Sequence, residues 1–405
     1  MRRIIIKSSN MKILHISDIH IGAKLGRYSQ NDDIRKCLAR IVDFCVCEHV
    51  RLLIAAGDIF DSYNPSAESE DIYYNFLNEA SSAGISAVII AGNHDNHERL
   101  YAPAKFLKRH NIMVAVNNAQ NFYAPFELAI DGEKISIAAV PYVYDAQIID
   151  PAASIDGGET AAAKAYSEAY NAITKRCAQM CASENKILVA HAFFAGAVNC
   201  GSERNIQRGN SLLVDASPAA GDFLYCAFGH LHRFQKITEN AYYSGSIIPV
   251  SIDEAVHPKK MILIDTGAAK ADDRIKSIEL PAFSAYKNLA GGFDAVYSEL
   301  KILNDAYISA VFTEALSLQR QDLLLKTARD NNIRIVSQGF DIKRRAGEAD
   351  GGADADASDA YLKMSMTRLF EEYLRAEGVS DARLVEKFDA IASECGRGKS
   401  GDGGI

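Results

Sequence analysis

Four apolar runs recur near the start of the chain, and amphipathic stretches separate them. Residues 12–17, 52–56, 86–91 and 112–116 are dominated by isoleucine, leucine, valine and alanine. Such runs suit strands buried on both faces of a parallel sheet. Between them, 31–48, 68–83 and 98–109 carry apolar positions at helical spacing. This alternation predicts βαβ units with parallel pairing. Shorter β-type runs follow at 121–129 and 134–140, then an alanine-rich helix over 159–183, then runs at 186–190, 223–228, 241–245 and 260–265. A layered, mixed-sheet α/β domain over 11–270 is the expectation.

From 275 to 340 the pattern restarts: strand 276–280, helix 292–302, strand 306–312, helix 317–331, strand 333–337. This βαβαβ piece holds no histidine and predicts a small α/β cap domain that selects shape or makes contacts. Residues 341–358 are rich in glycine, alanine and aspartate, the composition of an acidic flexible linker. Beyond it Leu362, Met366, Leu369, Phe370, Tyr373 and Leu374 share one helical face, and Leu384, Val385, Phe388 and Ile391 mark a second helix. Gly378 and Ser380 suit the turn between them. Two such helices at 359–395 bury little alone and call for a partner surface or the body of the protein. Residues 396–405 are expected to be a disordered tail. Residues 1–10 read as an extension, with Met11 an alternative start.

At 405 residues the chain is long enough for two or three domains with a sizeable core. No apolar run approaches the roughly 20 residues needed to span a bilayer, and the three isoleucines at 4–6 are too few for a signal-peptide core. Eight scattered cysteines in a chain of this size fit a reducing cytoplasm. Cys177 and Cys181 fall one helical turn apart, but no second Cys/His pair lies nearby, so helix packing is the better account. The net charge of −8 argues against nonspecific attraction to nucleic acid by the whole molecule. It leaves room for a local nucleic-acid site, because bound divalent cations invert the field at a carboxylate-rich centre.

The candidate chemistry lies just past the strand ends. Asp18 and His20 follow the first run, Gly57-Asp58 the second, and Gly92-Asn93-His94-Asp95 the third. His191 and then Gly229-His230-Leu231-His232 close later runs. Carboxylate, amide oxygen and imidazole are the ligands of hard and borderline divalent metals. Two ions about 3.5–4 Å apart need one bridging carboxylate, and Asp58 is the candidate. Asp18 and His20 would hold one ion, Asn93 and His191 the other, with His230 and His232 split between them. A lone Gly-Asp is usually a turn and a lone histidine usually a surface or core residue; His49, His97, His110 and His257 are assigned there. His15, inside the first strand, is expected in the core.

D-x-H, G-D-x-x-D, G-N-H-D, a single His and G-H-x-H, in this order, resemble the calcineurin-like metallophosphoesterase superfamily. Within it, the ILHISDIHIG, GDIFD, GNHDN, AFGHLHRFQ and YSGSIIPVSIDEA stretches, with SER at 202–204, resemble the nuclease subunits of bacterial exonuclease complexes. The resemblance implies two Mn²⁺ ions, with Mg²⁺ or Fe²⁺ as alternatives. Asp18, His20, Asp58 and His232 correspond to the ligands of one ion; Asp58, Asn93, His191 and His230 correspond to those of the other. His94 takes the place of the catalytic histidine, and Asp61 that of the carboxylate that orients it. Implied partners are DNA and, through 359–395, an SMC-like coiled-coil ATPase, in an assembly of two copies of each subunit. Lys24, Arg27, Arg99, Arg204, Arg208 and Arg233 are candidate contacts to the DNA backbone, where basic groups position without reading sequence.

Two other functions suit parts of this pattern. A small-molecule or cyclic-nucleotide phosphodiesterase would use the same ligands but has no need of the cap or the tethered helices. A non-enzymatic scaffold for the ATPase would have no need of a complete ligand set.

Overall fold

The computed structural model of the chain describes residues 11–117, 123–144, 147, 151–198, 213–268 and 271–341, with Phe370, Leu374, 383–385, Lys387 and Phe388. Of 151–160, Pro218, Ala271 and Asp272 it describes only the backbone. The chain divides between Ile342 and Lys343 into two compact units.

Two six-stranded sheets face each other in the larger unit. The first runs, in spatial order, Ile275–Glu279, Lys260–Asp265, Lys12–Ile16, Val50–Ala56, Ser86–Ile90 and Ile112–Ala115. Its last four strands are parallel and the first two antiparallel. The second runs Gln235–Thr238, Ala241–Tyr243, Tyr225–Gly229, Lys186–His191, Glu133–Val140 and Phe126–Ile130. Here four parallel strands lie between antiparallel edges.

The apolar runs are continuous because each central strand is buried on both faces. Leu14, Ile16, Leu53, Ala55, Ala87 and Ile89 pack outward with Ile34, Leu38, Ile72 and Phe76 of helices Asn31–Cys47 and Ala67–Ser82. Ile13, Leu52, Ile54, Val88 and Ile90 point inward, against Ile135, Ile137, Val189 and Tyr225 of the other sheet. The helix Pro151–Met180 covers the far face of the second sheet through Tyr166, Tyr170 and Cys177. Its cysteines are packing residues: Cys177 Sγ donates to Tyr123 O and Cys181 Sγ to Cys177 O, each at 3.2 Å. His15 is buried in the core, with Nδ1 2.9 Å from Tyr225 Oη. Among the described residues no helix is long and apolar enough to cross a membrane.

The small α/β piece differs from expectation at its start. Residues 275–279 pair antiparallel with Lys260–Asp265 and finish the first large sheet. The βαβαβ unit instead begins at Ala285–Gly291 and continues through Ala306–Phe312 and Ile333–Phe340, all parallel. Helices Phe293–Leu300 and Leu318–Asp330 enclose its own core of Leu289, Val296, Ile308, Phe312 and Leu324. It touches the main body through Tyr307 Oη, which donates to Ser29 O at 3.1 Å, and Asn288 Nδ2, which donates to Asp253 Oδ1 at 2.8 Å.

In the smaller unit Phe370 and Phe388, one from each expected tail helix, stack at 4.2 Å. The extension 1–10, the linker from 342, the tail 396–405, and Arg204 and Arg208 lie outside the described residues.

Candidate metal centre

Every candidate donor sits where a parallel strand stops. Asp18 and His20 follow Lys12–Ile16, Asp58 follows Val50–Ala56, and Asn93 and His94 follow Ser86–Ile90. His191 ends its own strand, and His230 and His232 follow Tyr225–Gly229. Carboxyl ends of parallel strands are where open α/β sheets gather ligands.

The turns that carry them are strained. Asp18 and His20 have φ of 50°, Asp58 49° and His230 109°, a region that residues other than glycine seldom occupy. Backbone hydrogen bonds beyond the strand ends hold the strain: Asp18 N donates to Gly57 O and His20 N to Asp58 O, each at 3.0 Å. Two glycines permit the crowding. Gly57 has φ 90°, and a Cβ there would overlap the His191 ring. A Cβ on Gly92 would overlap Asp58.

The side chains converge. Asp58 Oδ2 lies 3.5 Å from His191 Nε2, 3.8 Å from His20 Nε2 and 4.0 Å from His94 Nε2. Asn93 Oδ1 lies 3.0 Å from His191 Nε2 and 2.9 Å from His230 Nδ1. Asp18, His20 and His232 form one tight donor group, Asp18, Asp58 and His191 another, and His20, Asp58 and His94 a third; within each, ligand atoms lie within 4.8 Å of one another. The structure therefore gathers all seven proposed ligands and His94 at the carboxyl ends of strands from both sheets.

Surrounding contacts fix the imidazoles. The Nδ1–H of His191 donates to Ala56 O at 2.8 Å, and that of His232 to Glu254 Oε1 at 2.9 Å. Both therefore aim Nε2 into the cluster. His232 Nε2 meets His20 Nε2 at 3.0 Å, where two lone pairs repel unless a proton or a cation lies between them. Burial opposes charge on His20, but Asp61, Asp58 and Asp18 outweigh it and raise the ring to about 9. His191 likewise rises to about 9 against burial, through Asp58 and Asp18. Asp58 stays well below the usual carboxylate range despite burial, because His191, His94 and His20 surround it. Burial, reinforced by His191, pushes His230 down to about 3. Protons and divalent cations compete for such lone pairs, and the oxygen-and-imidazole donor set fits divalent cations.

Asp61 touches both His94 and His20. His94 Nδ1 lies 2.9 Å from the Asp61 backbone carbonyl, whereas the Asp61 carboxylate lies 3.4 Å from His20 Nδ1. The short turn after Asp58 brings the Asp61 carbonyl within hydrogen-bond reach of His94 Nδ1. Two further residues had no assigned role in the sequence pattern. Asp95, fully buried, accepts from the backbone N–H groups of Ile59, Phe60 and Gly92 at 3.1, 2.9 and 2.8 Å. It ties the turn bearing Asp58 to the turn bearing Asn93. Glu254 is the other, and a carboxylate inside the apolar IIPVSIDEA stretch was its only signal.

Four of the six basic candidates lie among the described residues. Lys24 and Arg27 are exposed on a small hairpin, where Arg27 lies 5.1 Å over the Tyr28 ring. Arg99 is exposed and pairs with Glu70 at 2.8 Å. Arg233 is half-buried beside His232.

Comparison with known proteins agrees with this centre. A Bacillus subtilis protein named as the D component of the nuclease SbcCD is 31% identical over 268 residues, 63% of this chain and 66% of that protein. Its Escherichia coli K12 namesake is 27% identical over 310 residues, 73% of this chain and 74% of that one. A protein named DNA double-strand break repair protein Mre11, from Sulfurisphaera tokodaii, is 30% identical over 138 residues, 33% of this chain and 35% of its own length. The family described as calcineurin-like phosphoesterase matches residues 11–234, which end just past His232 and hold every gathered donor. With more than half its length and its whole cluster inside that match, the chain belongs to the calcineurin-like phosphoesterases.

Proposed function

We propose that this chain is a Mn²⁺-dependent DNA phosphodiesterase, with Mg²⁺ or Fe²⁺ as alternative metals. It acts as a 3′→5′ exonuclease on double-stranded ends and as an endonuclease on single strands and hairpins. It works in the cytoplasm with an SbcC-type coiled-coil ATPase bound through 359–395, two copies of each, in DNA repair, replication and recombination. The observation that carries the proposal is the gathering of six other metal-type donors and His94 around Asp58. The names of its relatives support the choice of DNA over a small phosphodiester.

Two divalent cations bound there would activate a water for in-line attack and neutralise the phosphate oxygens. Asp58, whose Oδ2 lies 3.8 Å from His20 Nε2 and 3.5 Å from His191 Nε2, would be the shared ligand. Asp18, His20 and His232 would complete the donor set of one ion, and Asn93, His191 and His230 that of the other. His94 donates Nδ1–H to the Asp61 carbonyl, which fixes the ring with Nε2 toward Asp58. From there the ring would donate a proton to the departing 3′ oxygen or stabilise charge on phosphorus.

The test is metal-dependent digestion of end-labelled duplex and hairpin DNA, beside a cyclic nucleotide, with and without the ATPase subunit and ATP. His94→Ala should keep its metal and lose roughly 10²–10⁴-fold in rate. Asp58→Ala should lose metal as well, because both ions depend on it. Unchanged DNA cleavage by His94→Ala would remove its catalytic role. Fast hydrolysis of the cyclic nucleotide with duplex left intact would favour the small-molecule phosphodiesterase.

A further inference from the structure

Behind His232 the chain closes a buried polar network outside the proposed ligand set. Glu254 lies on the short helical turn Asp253–Val256, its side chain 1% exposed. Oε1 accepts from His232 Nδ1 at 2.9 Å. Oε2 accepts from Lys259 Nζ at 2.7 Å and from Val250 N at 3.3 Å. Lys259 Nζ also donates to Ser246 Oγ at 2.7 Å and His232 O at 3.2 Å, so each of its three protons has a partner. A buried carboxylate–ammonium pair is costly, and an apolar pair of similar volume would brace a loop as well. What the apolar pair would lack is a charged acceptor on the imidazole. Such an acceptor fixes a ligating histidine's tautomer and makes its free nitrogen a better donor.

The same stretch reaches a second donor. Ser17 Oγ donates to Asp18 Oδ2 at 2.6 Å and meets Ser244 Oγ at 2.8 Å. Asp18 and His232, with His20, make up one of the three donor groups. His191, by contrast, is held by Ala56 O, from the strand before Asp58.

We propose that Glu254, clamped by Lys259, is a positioning residue for one ion of the pair, the ion held by Asp18, His20 and His232. It sets the affinity of that ion and leaves the other nearly untouched. This rests on the two-ion reading of the centre.

The experiment titrates Mn²⁺ into the metal-free full-length chain, followed by calorimetry and electron paramagnetic resonance. Wild type should take up two equivalents and develop the signal of a spin-coupled pair. Glu254→Gln keeps the size of the side chain and an oxygen for His232, but removes the charge. It should bind one equivalent as before and the other about 10–100-fold more weakly, with a mononuclear signal persisting past one equivalent. The double variant Glu254→Gln/Lys259→Met removes both buried charges. It should melt like wild type without metal and still fail to recover the second ion, and it carries the same titration should the single variant not fold. Two ions bound with wild-type affinity, or both weakened alike, would overturn the assignment. A wild type that binds no pair of ions would instead refute the two-ion reading.

Discussion

At Gly92 the α-carbon stands so close to Asp58 that a single methyl group has no place to go. Gly92→Ala should therefore displace the proposed bridging carboxylate and cost about 1–3 kcal/mol, the range for overpacking a filled core. Gly221, on the surface helix Ser217–Asp222, is the control, because a Cβ there meets nothing within 4 Å. Gly221→Ala should be neutral or slightly stabilising. Urea unfolding of both variants, with Mn²⁺ binding measured alongside, checks the pair; a Gly92→Ala protein with wild-type stability and metal affinity would show that the turn yields easily. Asp61 serves two neighbours at once: its carbonyl meets His94 Nδ1, and its carboxylate stands 3.4 Å from the Nδ1 of a proposed ligand, His20.

Two turns from separate strands act as one element because Asp95 joins them. Three backbone donors converge on its carboxylate in a fully buried setting. An asparagine in its place offers one acceptor oxygen instead of two, and its amide group would face a backbone N–H. Asp95→Asn should thus destabilise the protein by roughly 1–3 kcal/mol, the cost of leaving buried donors unpaired, and weaken metal binding through loosened turns. Equilibrium denaturation and metal titration test this together, and two unchanged curves would refute the linkage. The strands leading to these turns were legible in the sequence, because burial on both faces leaves an unbroken apolar run with polar donors just beyond it. Other elements were not legible. The run at 275–279 pairs with Lys260–Asp265, and an edge strand carries no mark of which sheet it will finish. The link from Glu254 to His232 spans a loop, so no periodicity announces it, and the Asp61 contact with His94 uses a carbonyl that every residue possesses.

On the scale of the molecule, the proposed division of labour puts chemistry in the larger unit and partner binding in the tail. A chain truncated after Ser358 should keep its intrinsic nuclease activity and lose co-purification with the ATPase subunit; retained co-purification would count against the tail as the docking element. In the smaller unit Phe370 and Phe388 stack on each other.

The two large sheets meet face to face through apolar side chains, aliphatic and aromatic, whose attraction is non-directional. At one end of that seam the donors come from both sides: Asp18, His20, Asp58 and Asn93 from the first sheet, His191, His230 and His232 from the second. Each ion would then act as a rivet through both plates. Loading Mn²⁺ should raise the melting temperature of the whole larger unit in a single transition, and a chelator should reverse it. A melting curve indifferent to metal would mean that the plates are fastened by their oily faces alone.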